Sequence, residues 1–407
     1  MIFLALIYLA FISLGLPDSL LGSSWPMMNI DLGVPVGNAG FVSIIISGGT
    51  IISSLFSHRL IRLFGTGKVT VASVAMTAIA LFGFSLSPSF QWLIACAIPL
   101  GLGAGAVDSG LNEFVAEHYE AKHMNWLHCF WGVGAMLGPV LISLLVQWGH
   151  TWRSGYSSIS MIQFALVILL LFSLHMWKRY ETPSAGHMNE ASHNKNKHGL
   201  ITILRSNGSV LIMLSFLLNT TIEATMMLWG ASYLVDRKDI LPERAAGWVS
   251  LFFLGITAGR MISGFISMKL SNEALIRIGT LLTIAGLTLM LLPLPAVFAI
   301  CAFIIVGLGL APIYPSMLHQ TPVYFGTANA QAIMGLQMSF AYTGTTLIAP
   351  LFGQLFAQVS FSLMPYVLLF CAAGLLACRI HLISKTKKHL IQAEENQVDI
   401  EKTESVS

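Results

Sequence analysis

Asp18 and Glu223, each set in a long apolar run, stand 205 residues apart, and that interval recurs along the chain. Gly101-Leu102-Gly103 returns 206 positions later as Gly307-Leu308-Gly309. Pro139, closing Gly134-Ala-Met-Leu-Gly-Pro, is echoed by Pro350, closing Gly344-Thr-Thr-Leu-Ile-Ala-Pro. A polar stretch from Lys178 to Arg205 separates the two copies. A duplicated block of about six apolar segments implies two matched bundles with a site between them, the layout of a secondary transporter whose halves rock about a central site.

The chain is 55% hydrophobic and 10% charged, against about 25% charged in a soluble domain. In hydrocarbon every backbone amide must be satisfied within its own segment, so these runs are expected to be helices. The 407 residues suffice for twelve spans of roughly 20 residues each. The apolar runs place them at 2–29, 38–61, 68–86, 90–115, 123–148 and 153–177, then at 207–235, 245–268, 273–292, 295–318, 327–358 and 361–383. The expected organisation is therefore all-α and membrane-integral, with twelve transmembrane helices. A six-helix bundle over 1–177 is followed by a cytoplasmic linker at 178–206, a second bundle over 207–383 and a solvated tail at 384–407.

Orientation follows from the basic residues. With both termini inside, sixteen of the 21 Lys and Arg fall in cytoplasmic loops, linker or tail, Arg379 among them, and four fall outside (Arg153, Arg237, Lys238, Arg244). That bias predicts cytoplasmic N- and C-termini. The net charge of +3 gives no reason to expect a nucleic-acid partner. Met1–Trp25 has no basic residue ahead of its apolar run and contains Asp18, so it reads as a retained first helix, not a cleaved leader. The five cysteines sit in or beside apolar runs without metal-ligand spacing and read as packing residues.

A carboxylate at lipid depth costs about 2.5–3.5 kcal/mol to insert, so the three that fall there point to function. They are Asp18, Asp108 and Glu223. Each shares its helix face with small or hydrogen-bonding residues: Gly15 and Gly22 with Asp18, Gly101, Gly105 and Asn112 with Asp108, and Asn219, Thr220 and Gly230 with Glu223. Such faces point to a cavity or a neighbouring helix. Desolvation favours the neutral form of a carboxyl group, so an acid at this depth can take up and release a proton near neutral pH. Proton coupling through these three acids is the expectation, with structural hydrogen bonding between helices as the plain alternative.

Two other charged residues suit a gate: Glu113, near the cytoplasmic end of its helix, and Arg260, the basic residue deepest within a span. Arg260 either snorkels to the surface or latches onto a carboxylate or helix C-terminus. Asn112, Asn219, Gln331, Gln337, Tyr342, Trp131 and Trp229, with His128, could supply the amides, hydroxyls and aromatic faces that a neutral polyol requires. Helix packing explains about half of such a set equally well.

His118, His123 and His128 are spaced by five, which sets successive rings about 140° apart and rules out one metal-binding helical face. No metal or cofactor is expected. Gly101-x-Gly-x-Gly105 lacks the strand and the Lys-Ser/Thr pair of a phosphate loop and reads instead as close helix packing.

The chain resembles the major facilitator superfamily, and within it is similar to the fucose–galactose–glucose:proton symporter group. The resemblance is carried by Leu16-Pro-Asp18-Ser-Leu-Leu, Gly105-Ala-Val-Asp108-Ser-Gly-Leu-Asn112, His128-Cys-Phe-Trp-Gly-Val-Gly-Ala135, Thr221-Ile-Glu223-Ala-Thr and Gly255-x-x-x-Gly-Arg260-x-x-x-Gly264. It implies that Asp18 takes part in proton coupling, that Asp108 stands for an acid that is usually glutamate, and that His128 occupies a position where an amide contacts sugar. His58-Arg-Leu-Ile-Arg62-Leu-Phe-Gly65 resembles the superfamily's loop between its second and third helices, without the acidic residue. Gly134-x-x-x-Gly138-Pro139 resembles part of an exporter motif, with Ile142-Ser143 in place of its double glycine.

The expected function is uptake of a neutral sugar or related polyol in symport with a proton (or sodium), by a monomer in the cell membrane. The alternative is a proton-driven exporter of sugars or apolar drugs. A membrane sensor would need a folded signalling domain, for which linker and tail are too short and polar. An enzyme would need a nucleophile or metal constellation that the spacing does not supply.

Overall fold

The computed structural model describes the backbone of residues 2–177 and 208–404; side chains at 2, 121, 122, 125, 327–329, 331, 332 and 385–404 lie outside that description, as does the expected linker. The first half holds α1 (Ile2–Asp18), α2 (Leu20–Asp31), α3 (Ala39–Phe64), α4 (Thr66–Ser85), α5 (Phe90–His118), α6 (Ala121–Gln147) and α7 (Trp152–Trp177). The second holds α8 (Ser209–Lys238), α9 (Pro242–Ile266), α10 (Asn272–Leu291), α11 (Val297–Leu310), α12 (Ile313–Phe325), α13 (Thr327–Thr343), α14 (Ala349–Gln358) and α15 (Leu363–Glu404). Among the described residues, eleven helical stretches are long and apolar enough to cross a membrane, α1–α2 and α11–α12 each counting as one. The twelfth span is α13 and α14, joined by a π-turn at Gly344–Ile348. The fold is the expected twelve-helix membrane architecture. The last helix continues about twenty residues past the expected end of the bundle, through a Lys-, Gln- and Glu-rich stretch of good helix formers.

The sequence repeat is a repeat of contacts. Gly101 and Gly105 on α5 let that helix press against Ile46 and Thr50 of α3, while Gly103 faces Ser73 and Thr77 of α4. In the second half Gly307 on α11 meets Phe252 and Ile256 of α9, and Gly309 meets Gly279 and Thr283 of α10. Each of these partner positions is shifted by the same 206 residues. With no hydrophobic drive between helices in lipid, close backbone approach supplies the packing energy, and only glycine permits it here. The loops joining α3 to α4 and α12 to α13 turn on Gly65 (φ +83°) and Gly326 (φ +74°), a conformation that L side chains avoid.

The first span is broken where function is expected. Pro17 has no amide hydrogen, so the carbonyl of Ser13 loses its helical partner. Gln163 of α7 fills the gap, donating from Nε2 to that carbonyl at 2.8 Å while its Oε1 accepts from Thr77 at 2.9 Å. The break at Ser19 follows one residue after Asp18.

The halves meet at the end remote from the N terminus. Gly22 of α2 packs on the Met227 and Leu228 backbone of α8, Gly40 of α3 on Pro350 of α14, and Gly247 of α9 on Ser143 of α6. Gln354 of α14 donates to the Gly37 carbonyl at 2.8 Å across the same end. Contact continues to mid-depth, where Gly132 of α6 faces Thr257 of α9. Toward the N-terminal end the halves part: a Cβ at Gly264 would meet nothing within 4 Å, and a 570 Å³ cavity opens between α3 and α13.

Candidate functional site

Asp18 lies at mid-span yet is exposed, because the broken first span turns it into the space between the halves. Its Oδ2 accepts a hydrogen bond from Trp131 Nε1 of α6 at 2.8 Å. That approach depends on Gly15, where any side chain would run into the Trp131 carbonyl. On the other side, Arg260 of α9 sets its guanidinium 5.4 Å from the centre of the Trp131 ring. The same guanidinium lies 3.8 Å from Glu223 Oε1 of α8. Asp18, Trp131, Arg260 and Glu223 thus form one continuous polar chain across the two halves. An indole face partly shielded from water attracts a guanidinium, and a carboxylate behind the cation holds it in place.

Asp108 of α5 completes the set, its Oδ1 accepting from Asn112 one turn along at 3.0 Å, while Asn112 Oδ1 is buried without a partner. Asp108 lies within electrostatic reach of Asp18 and of Tyr342. Among the described residues neither Asp18 nor Asp108 has a cationic side chain at ion-pair distance; Glu223 has Arg260. His128, one turn before Trp131, is exposed and meets Phe11 edge-on at 6.0 Å. Tyr342, 41% exposed, lines the opening between α3 and α13.

Other expected site residues lie elsewhere. Trp229 is fully buried, donates to the Ala349 carbonyl at 2.8 Å and packs on Gly353; it is an anchor between α8 and α14. Gln337 is fully buried and paired with Thr321, joining α12 to α13. Asn219 is fully buried, with both amide atoms unpartnered, one turn from Glu223 but covered by neighbouring helices. The Gln331 side chain falls outside the described residues. Glu113 faces His58 of α3 at 3.3 Å, a contact inside the first half that bridges no gate between halves. Arg260 neither snorkels nor reaches the surface; it turns inward to Glu223 and Trp131.

Two features escaped the sequence. Tyr314 on α12 stands edge-on to Phe216 at 5.2 Å, its hydroxyl 2.8 Å from Met338 Sδ, within electrostatic reach of Glu223, Arg260 and Asp108. The pair Pro312 and Pro315 around it, which disrupts the tenth span, was the available signal. Arg379, expected in a loop, is 2% exposed; its Nη2 donates to Glu273 at 2.6 Å and to Gln320, and Tyr324 donates to the same Glu273 oxygen at 3.0 Å. Its place inside the last apolar run was the clue.

The Major Facilitator Superfamily profile matches residues 7–350. Among curated proteins, the chain is 27% identical over 281 residues to Bypass of stop codon protein 6 of Saccharomyces cerevisiae, covering 64% of this chain and 56% of that one. It is 21% identical over 266 residues to the glucose/mannose transporter GlcP of Bacillus subtilis, covering 65% and 66%. The chain thus spans somewhat more than half the length of these relatives. Among solved structures, a mutant of the nucleoside transporter NupG superposes with a TM-score of 0.74 at 13% identity, covering 93% of this chain and 98% of that one. A mutant of the peptide transporter POT superposes at 0.72 and 13% identity, covering 93% and 94%. The extent of the family match, the twelve spans and the paired halves converge: this chain is a multi-pass membrane protein and belongs to the Major Facilitator Superfamily, a family of transporters and not of enzymes.

Proposed function

We propose that this transporter moves a neutral sugar or related polyol together with a proton, by alternating access, and that Asp18, Asp108 and Glu223 handle the proton. The observation that carries the reading is the polar chain Asp18–Trp131–Arg260–Glu223, which ties an acid from each half to one contact between the halves. Charge at either end alters how Arg260 is held, and Arg260 bears on the other half through Trp131. Proton occupancy and rocking of the halves are then linked by differential contacts, as coupling requires. Asp18 and Asp108, at membrane depth and without a cationic partner among the described residues, are the groups on which uptake of a proton removes an uncompensated charge.

In this reading the protein works as a monomer in the cell membrane with both termini cytoplasmic, and the parted end faces the cytoplasm. Asn112, His128, Trp131, Tyr342 and Tyr314 bear on the substrate; Asn219, Gln337 and Trp229 support the walls. Similarity to a protein named as a glucose/mannose transporter supports the sugar class, as does the resemblance to the fucose–galactose–glucose symporter group. The test is uptake of a labelled sugar panel into vesicles, with proton and sodium gradients imposed separately. Accumulation driven by the proton gradient alone is expected; accumulation driven only by sodium, or none for any sugar, overturns the reading.

A second reading, proton-driven export of apolar molecules, gains from one observation. Two of the expected sugar-binding amides, Asn219 and Gln337, are buried in the walls, which leaves the space between the halves richer in aromatic than in amide groups.

A further inference from the structure

Helices α3 and α13–α14 form a V. At the end remote from the N terminus they touch, with Gly40 so close to Pro350 that a side chain there would crowd the Pro350 carbonyl, and Gly37 bonded to Gln354. Farther along they separate around the 570 Å³ cavity, whose walls include Ile51 and Leu55 on one side and Gly335, Met338 and Leu347 on the other. Gly335 and Leu347 lie roughly 12 and 30 Å along the helix from Thr327, within a bilayer whose hydrocarbon core is about 30 Å thick. The rim is continuous with lipid-facing surface: Leu55 is 77% exposed, and Ile52 and Phe56 beside it on α3 are both more than half exposed.

Three of the five hydroxyls in the walls are already used. Ser54 donates to the Gly105 carbonyl at 3.1 Å, Ser339 to Gly335 at 3.0 Å and Thr343 to Ser339 at 2.9 Å. Each bonds back to a helix carbonyl, so the walls offer mainly hydrocarbon; among the described residues, Thr346, buried where the helices converge, and Tyr342, on the open side, keep wall hydroxyls without a partner. An aqueous occupant would find few hydrogen-bond partners, and an open apolar groove at this depth borders acyl chains, not water. We propose that the groove between α3 and α13 is a binding site for one acyl chain of a membrane phospholipid, entering sideways from the leaflet on the N-terminal side. This holds whatever the transported substrate.

The test uses the full chain in vesicles of phosphatidylcholine bearing a photoactivatable diazirine at mid-chain, with the labelled peptides mapped by mass spectrometry. Label is expected to be enriched on Ile51–Leu55 and Gly335–Leu347 over the exposed Ile168, Leu169, Leu171 and Phe172 of α7, which serve as the bulk-lipid reference. A Cβ at Gly335 meets nothing within 4 Å, so Gly335→Trp has room to fill the groove. It should remove the groove label and leave the α7 label unchanged. Ser339→Trp, at an exposed position one turn away, makes the same test if the first variant folds poorly. Groove labelling no greater than on α7, or undiminished in a folded variant, overturns the proposal.

Discussion

Arg260 places its guanidinium 5.4 Å from the centre of the Trp131 ring, so a cation of the second half rests on an aromatic face of the first. Behind the indole stands Asp18 and behind the guanidinium stands Glu223. Arg260→Lys keeps the charge but loses the planar stack and the fork that spans ring and carboxylate. It should lower gradient-driven accumulation well below the wild-type level while exchange of substrate across the membrane persists. Equal accumulation by the lysine variant would mean that the stack plays no part in coupling.

Asp18→Asn removes a titratable proton and keeps the shape and the acceptor for Trp131. Accumulation should be abolished while counterflow or ligand binding stays measurable, and Asp108→Asn should behave alike. Normal accumulation by both variants, measured in vesicles under an imposed proton gradient, would reduce the two acids to structural groups.

Asn112 and Asn219 are both amides one turn from an acid, yet the structure separates them. Asn112→Ala should weaken sugar binding by roughly five- to a hundred-fold, the equivalent of about 1–3 kcal/mol for a buried partner left unpaired. Asn219→Leu, which replaces an amide with no partners by an apolar side chain of similar volume, should hold or raise thermal stability and leave binding intact. Lost binding with an unchanged melting curve would return Asn219 to the site.

Gly353 packs flat against the Trp229 ring, leaving no space for a methyl group. Gly353→Ala should cost about 1–3 kcal/mol through overpacking, read as a lower melting temperature in detergent. A melting temperature equal to wild type would show that the contact is slack and that Trp229 is not an anchor.

Gln354 supplies a hydrogen bond that crosses between the halves at their closed end. Gln354→Leu keeps the bulk and removes the donor, which should shift the population toward separation at that end. Spin labels at His150 and Arg237, on the two sides of it, should show a new long-distance population. An unchanged distance distribution would assign the closure to the glycine contacts alone.

Much of this molecule is written in one dimension. The 206-residue interval fixed which glycines would play the same part in each half, because close helix approach in lipid depends on small residues at set spacings, and spacing is a sequence property. The cost of a carboxylate at lipid depth singled out Asp18, Asp108 and Glu223 without any structure. Periodicity, however, tells only which residues share a face of their own helix, not what covers that face. Asn219 and Glu223 are four residues apart on α8, and Trp229 is six further along; the first and last are sealed by neighbouring helices while Glu223 reaches Arg260. Arg379 looked like a loop charge until Glu273 and Gln320, about 106 and 59 residues away, were brought beside it. Which amides face the space between the halves, that Arg260 turns inward, and that the halves close at one end and part at the other were decided by contacts between distant segments, and those exist only once the helices have packed.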